Sequence, residues 1–173
     1  MDTDKKMDIL VSNAAVNPYF GPILMTPEKS WDKIFEINVK NTFQLIQECV
    51  PHLEEQERSS ITCISSIAGF QPMPMLGAYS VSKTALLGLC KVLSQELAPL
   101  NIRVNCVCPG VVKTKFAGAI LDMEEELAPQ FAMGRFAEPR EISGIVSFLA
   151  DEDRASYITG ESFSVCGGGN FRL

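Results

Sequence analysis

Histidine is nearly absent from this sequence: His52 is the one example in 173 residues, and it sits among acidic residues near an expected helix end. A Ser-His-Asp triad and a multi-histidine metal site are thereby excluded, which leaves hydrolase and zinc readings poor. No Cys-x-x-Cys pair occurs among Cys49, Cys63, Cys90, Cys106, Cys108 and Cys166. Cys106 and Cys108, two apart in an expected strand, share one face at a spacing no metal motif uses. All six read as reduced core cysteines of an intracellular protein. No apolar run approaches the ~20 residues that span a bilayer. The charged start, Asp2 to Lys6, shows no signal peptide. Dense basic runs are missing too, and 15 basic against 21 acidic residues leave a net charge of −6. Nucleic acid and anionic membrane surfaces are therefore unsuited partners. With no internal repeat, linker or low-complexity segment, the 46% hydrophobic and 21% charged composition describes one globular domain, or part of one.

The patterning that is present alternates strands with helices. Ile9-Leu10-Val11 is a short apolar run of the kind that forms a buried strand. A loop follows from Asn13 to Met25, and Thr26-Pro27 reads as an N-cap with proline at the first helical position. Trp31, Phe35, Val39, Phe43, Ile46, Val50 and Leu53 recur at three- and four-residue steps, which predicts one long amphipathic helix. Its tail, Glu54 to Arg58, is a solvated face. Ile61 to Ile64 is the next strand, ending in Ser65-Ser66, and a Pro- and Met-rich loop from Gln71 to Gly77 leads into a second long helix, Ala78 to Leu97. Asn101 to Cys108 is a β-branched strand halted by Pro109-Gly110. Residues 115–135 lack clean periodicity and have the composition of a mobile lid. Pro139 opens a helix with Ile142, Ile145, Val146 and Leu149 on one face, and Phe163 to Val165 is a last strand before Gly167-Gly168-Gly169. This order predicts an α/β fold, a Rossmann-like doubly wound parallel sheet with helices on both faces.

The chemistry concentrates in Ser65-Ser66 and Tyr79-Ser80-Val81-Ser82-Lys83. Tyr79 and Lys83 leave one helix face a turn apart. A free phenol titrates near ~10, and a nearby ammonium favours the phenolate, which would tune Tyr79 as a general acid/base. Ser66 follows the carboxyl end of a strand, where open α/β sheets hold their ligands, and could hold a carbonyl oxygen beside the tyrosine. On the Tyr-x-x-x-Lys spacing alone, an ordinary surface pair is the better reading; the serine and the strand-end position reverse that.

Several further segments match in order. Ile9-Leu10-Val11-Ser12-Asn13-Ala14-Ala15, Ile37-Asn38-Val39, Pro109-Gly110-Val111-Val112-Lys113-Thr114, Tyr157-Ile158-Thr159-Gly160-Glu161 and Gly167-Gly168, with Ser66, Tyr79 and Lys83, resemble the motifs of the short-chain dehydrogenase/reductase superfamily. Within it the chain is most similar to the dehydrogenase/reductase member 4 group of NADP(H)-dependent carbonyl and retinal reductases. The resemblance implies hydride transfer between NADP(H) and a carbonyl or alcohol of the retinal, α-dicarbonyl or aromatic-ketone class. It implies a catalytic set of Asn38, Ser66, Tyr79 and Lys83, with Tyr79 as proton donor, Ser66 orienting the carbonyl, and Lys83 also holding the nicotinamide ribose. Asn38 would carry a water linking Lys83 to solvent. Asn13 and Ala14 would pack near the adenosine half of the cofactor, while Pro109, Gly110, the Val112 backbone and Thr114 would fix the carboxamide. No metal is implied. Homo-oligomers, dimeric or tetrameric, would form through the helices at 31–53 and 78–97.

Three departures stand out. Ala15 replaces a glycine common in relatives, as in the member 4 group. The end, Phe171-Arg172-Leu173, is a degenerate form of a peroxisomal signal, which leaves cytoplasmic or peroxisomal placement open. No glycine-rich turn precedes Asn13, so the chain reads as a single partial domain, 1–173, that lacks the first β-α units. With units of about 30 residues, roughly 80 to 90 residues are missing relative to the family. The first strand would then be an exposed apolar edge. The alternative function is a catalytically incompetent fragment that binds a full-length relative through its long helices.

Overall fold

The computed structural model describes residues 6–169. Four parallel strands form one sheet in the order β1 (Ile9–Ser12), β2 (Ser59–Ile64), β3 (Ile102–Pro109) and β4 (Ser162–Val165). The register sets Leu10 beside Ile61, Cys63 beside Cys106, and Val107 beside Phe163. Parallel neighbours need crossover connections, and helices α2 (Asn41–Leu53), α3 (Gly77–Leu97) and α6 (Pro139–Ala150) supply them. The two faces of the sheet carry different cores. Leu10, Ile61, Cys63, Val104, Cys106 and Cys108 pack against α2 and α3 through Ile46, Leu53, Cys90, Leu93 and Leu97. On the other face Val107 meets Ile142 and Leu149 of α6, with Ile64, Phe163 and Val165 around them. The alternation along β3 follows the two-residue period of a strand buried on both sides.

The first strand lies at the sheet edge, with Ile9 46% and Val11 41% exposed. This is the apolar edge the sequence leads one to expect. The cysteines also agree with expectation: all six are free thiols, five of them buried and Cys166 half-buried. Among the described residues no helix is long and apolar enough to cross a membrane, and no cluster of His, Cys, Asp or Glu is built to hold a metal. The tripeptide Phe171-Arg172-Leu173 lies outside the described residues.

Two local expectations need correction. Pro27 is the cap of helix α1 (Glu28–Phe35), not its first residue, because Pro27 is extended (ψ 138°) and Thr26 closes the preceding 3-10 turn at Ile23–Met25. The single long helix at 31–53 is also interrupted: a π-helical segment, Glu36–Lys40, separates α1 from α2. In an α-helix, residues four apart drift about 40° round the axis, because 3.6 residues complete a turn. The wider π turn absorbs that drift, so Ile34, Asn38, Thr42 and Ile46 all point inward. The stripe that the periodicity picks out is correspondingly turned outward over its first half, leaving Trp31 and Phe43 exposed while Ile46 and Leu53 stay buried. Trp31 and Phe35 stack on each other, with ring centroids 4.8 Å apart.

Residues 115–135 form no long element. A 3-10 turn (Lys115–Ala117), helices α4 (Gly118–Leu121) and α5 (Glu124–Leu127) and another 3-10 turn (Ala128–Gln130) follow each other. Their core is a small separate cluster, in which Phe131 and Phe136 meet edge-on at 5.9 Å beside Ile67 and Ala128.

Candidate active site

Lys83 is almost wholly buried, at 2% exposure, and Tyr79 one turn earlier is 9% exposed. An ordinary surface pair is thereby excluded. The Lys83 ammonium donates to the Ile64 carbonyl at the end of β2 (2.9 Å) and lies 5.6 Å from the centre of the Tyr79 ring. With one of three N–H groups on Ile64, two are left for a ligand, among the described residues. Ser66 sits just past the same strand end in extended backbone, where its hydroxyl accepts from the Ala68 N–H (3.1 Å) and retains its own proton to donate.

Burial dominates the electrostatics of the pair. It pushes the Tyr79 phenol up to about 12, and the neighbouring Ser66 hydroxyl, which favours the phenolate, offsets part of that rise. Burial also lowers Lys83 to about 8, against the opposing pull of the Cys106, Cys63 and Cys108 sulfurs beneath it. In the ligand-free site burial, with Ser66 opposing it, sets the direction of the phenol's shift. Such a site keeps Tyr79 protonated at neutral pH, which suits a proton donor.

Helix α3 is held to the sheet by groups the motif does not advertise. Ser65 donates its hydroxyl to the Lys83 carbonyl (2.8 Å), and Thr84 donates to the Gly69 carbonyl (2.8 Å). A Cβ at Gly69 would lie 2.9 Å from the Lys83 carbonyl oxygen, so only glycine lets this turn lie flush on the helix. Thr84 and Gly69 do not stand out in sequence; Ser65 is marked there only by its adjacency to Ser66.

Asn38 is fully buried in the π segment and its side chain is fully committed. Its Oδ1 accepts from the Val16 N–H (2.8 Å), while its Nδ2 donates to the Val16 carbonyl (3.0 Å) and to the Ser82 hydroxyl (3.0 Å). Ser82 in turn donates to the Tyr79 carbonyl (2.7 Å). The amide thus ties the loop after β1, which carries exposed Asn13 and Ala14, to the second turn of α3. Its backbone carbonyl accepts from Thr42 Oγ1 (3.0 Å).

The loop after β3 approaches the same end of the sheet. Lys113 donates its N–H to the Ala137 carbonyl (2.9 Å) and Ala137 donates to the Val111 carbonyl (3.0 Å), a parallel bridge centred on Val112 and Ala137. In such a bridge the N–H and carbonyl of the central residue point the other way. The Val112 N–H is therefore turned away from Ala137, toward the side where Thr114 donates to the Val112 carbonyl (3.4 Å). Pro109 and Gly110 end β3, and Gly110 is pressed against Cys166, which a Cβ would meet at 3.1 Å. A cleft of about 220 Å³ lies at this loop, lined by Gly110, Val111, Phe131, Met133, Ile142 and Cys166 among others. Asn38, Ser66, Tyr79 and Lys83 do not line it. The reactive groups, not this cleft, mark the candidate site. Phe116 (54% exposed) lies over it, with its ring 5.8 Å from that of Tyr79.

A family model described as "Enoyl-(Acyl carrier protein) reductase" matches residues 1–170. The chain is 50% identical over 170 residues to a Homo sapiens protein named "Dehydrogenase/reductase SDR family member 4", covering 96% of this chain and 61% of that one. The Bos taurus protein of the same name is 49% identical over 165 residues, covering 94% and 59%. The chain thus spans about three fifths of the length of these curated relatives. Among solved structures, a 3-ketoacyl-(acyl-carrier-protein) reductase from Brucella melitensis complexed with NADH superposes with a TM-score of 0.89 at 28% identity, covering 94% of this chain and 67% of that one. An acetoin dehydrogenase from Enterobacter cloacae gives 0.82 at 36% identity, covering 94% and 64%.

Proposed function

The chain belongs to the short-chain dehydrogenase/reductase family, and on that premise we propose that its site serves an NADP(H)-dependent reductase of carbonyl compounds. The observation that carries the reading is the buried Tyr79–Lys83 pair, with the ammonium anchored on Ile64 at a strand end and Ser66 beside it. Such a cluster is costly to bury and is repaid by no packing role, as expected of functional groups.

The donors fit a nicotinamide cofactor. Two free N–H groups of Lys83 suit the ribose hydroxyls, and the outward Val112 N–H with Thr114 suits the carboxamide. Asn13, Ala14, Pro109 and Gly110 complete the proposed binding wall. When bound, reduced nicotinamide supplies the hydride. The chain's own residues do the rest. Ser66 donates to the substrate oxygen and orients it, and Tyr79 gives that oxygen its proton as negative charge develops there. Lys83 then stabilises the phenolate across the short gap to the ring. Asn38 acts by holding Val16 and Ser82, so that loop and helix keep their spacing.

Retinal, α-dicarbonyl or aromatic-ketone substrates are proposed from the likeness to the member 4 proteins, and exposed Phe116 beside Tyr79 is in keeping with an apolar substrate. The segment 115–135 is the proposed lid. Homo-oligomers are proposed through helices 31–53 and 78–97, where Trp31, Phe43, Leu45, Val81 and Val92 are exposed.

The deciding experiment is fluorescence titration of the purified chain with NADPH, alongside Lys83→Ala and Tyr79→Phe. Binding that weakens in Lys83→Ala and persists in Tyr79→Phe is expected. A folded chain that binds no NADPH would overturn the reading and favour a non-catalytic role, in which the chain pairs with a longer relative.

A further inference from the structure

Glu124, the first residue of α5, draws together two stretches that no other carboxylate joins among the described residues. Its Oε1 accepts from the Lys113 ammonium (2.9 Å), in the loop after β3, and from the Phe136 N–H (3.3 Å), in the stretch entering α6. These are the two sides of the short ladder in which Val111 and Lys113 bond Ala137. Phe136 is itself 1% exposed and wedged against Phe131, so its backbone is fixed on the far side by packing. On the other side of the ladder Val111 and Val112 pack against apolar clusters, but Lys113 and Thr114, which follow them, carry polar side chains, and the Glu124 ion pair is what holds the Lys113 side chain there.

We propose that Glu124 is a positioning residue: by bracing Lys113 against Phe136 it fixes the ladder that aims the Val112 N–H at the nicotinamide carboxamide. The inference rests on the reading of the site given above. Both charges are about one third exposed, so the pair adds little to global stability. Its effect is orientational. A donor must lie within a few tenths of an ångström of its place to hold a ligand group, and apolar packing at Val111 and Val112 leaves the polar end of the loop, Lys113 and Thr114, to be held by the Glu124 contact. The lid and the carboxamide loop thereby become one unit, and disturbance of α5 is felt at the nicotinamide ring but not at the adenosine end of the cofactor.

The test compares two ligands on the full chain: NADPH, and ADP-ribose 2′-phosphate, which lacks the nicotinamide ring. Glu124→Ala and Lys113→Met are each expected to weaken NADPH binding by roughly a factor of ten, with melting temperature and any binding of the ring-less ligand unchanged. The double variant is expected to be no weaker than the worse single one, because both remove the same brace. Unchanged NADPH binding in Glu124→Ala would overturn the inference, as would parallel weakening of both ligands or additive losses in the double variant. If the wild-type chain binds no NADPH, the reading of the site falls first and this inference with it.

Discussion

The two halves of the candidate site are built on opposite plans. The proposed catalytic half, Tyr79, Lys83, Ser82 and Asn38, is buried in helices over a parallel sheet, with Asn38 and Ser82 bonded to fixed partners and Lys83 anchored on the Ile64 carbonyl. The proposed lid, 115–135, is a run of four-residue helices and 3-10 turns steadied by partly exposed ion pairs, Lys113–Glu124 and Arg135–Glu141. The difference separates tasks. Proton transfer needs groups placed to a fraction of an ångström, which a packed core supplies; accepting varied substrates needs a surface that can shift at little cost.

Substitutions can break that contrast or sharpen it. Tyr79→Phe has the largest expected effect: loss of carbonyl reduction by about 10²- to 10⁴-fold, the usual worth of one proton donor, with NADPH binding retained. Asn38→Ala comes next, since it strands the Val16 N–H and carbonyl in a buried junction. It should cost roughly 3 kcal/mol of stability in denaturant unfolding. A loss below 1 kcal/mol would mean that the junction is looser than its hydrogen bonds imply.

Lys83→Met should do the reverse for stability while abolishing activity. The lysine falls from 10.5 to about 8 on folding, so its charge is disfavoured in the native state. Below pH 8 both states carry the proton and the penalty is complete, on the order of 3 kcal/mol. As pH rises from 8 toward 10 the native state sheds its proton before the unfolded one does, the penalty fades, and the wild-type chain gains stability. Unfolding curves at pH 7 should therefore show the methionine variant more stable, with the advantage shrinking by pH 10. Reductase activity should decline in parallel above about pH 8 as the ammonium is lost.

Phe116→Ala, at the lid, has the smallest expected effect. Melting should not change, and KM for an aromatic ketone should rise about three- to tenfold, the worth of one aromatic contact. A stability loss comparable to that of Asn38→Ala would erase the distinction between the halves.

The same contrast governs what could be read in advance. Strand and helix order, the parallel sheet and the Tyr79–Lys83 face were legible, because each follows from a period of 2.0 or 3.6 residues along the chain. The π turn at Glu36–Lys40 was not, since it inserts a phase shift that a periodic search reads through; the stripe at Trp31 and Phe43 consequently looked like core. Glu124 was one acid in a run of three, and its partners, Lys113 and Phe136, lie 11 and 12 residues away with no pattern linking them.

Sequence alone determined the class of fold, the segment that holds the candidate site and the identities of the groups proposed to react there, all of which depend on neighbours within a turn or two. Tertiary structure decided the rest. It buried Lys83 and Tyr79 far enough for desolvation to dominate the shifts of both, and it spent the Asn38 amide on Val16 and Ser82, 22 and 44 residues distant. It also turned the Val112 N–H outward by pairing its neighbours with Ala137. Dielectric, hydrogen-bond allocation and donor direction are set by what the folded chain brings alongside, and no local pattern encodes them.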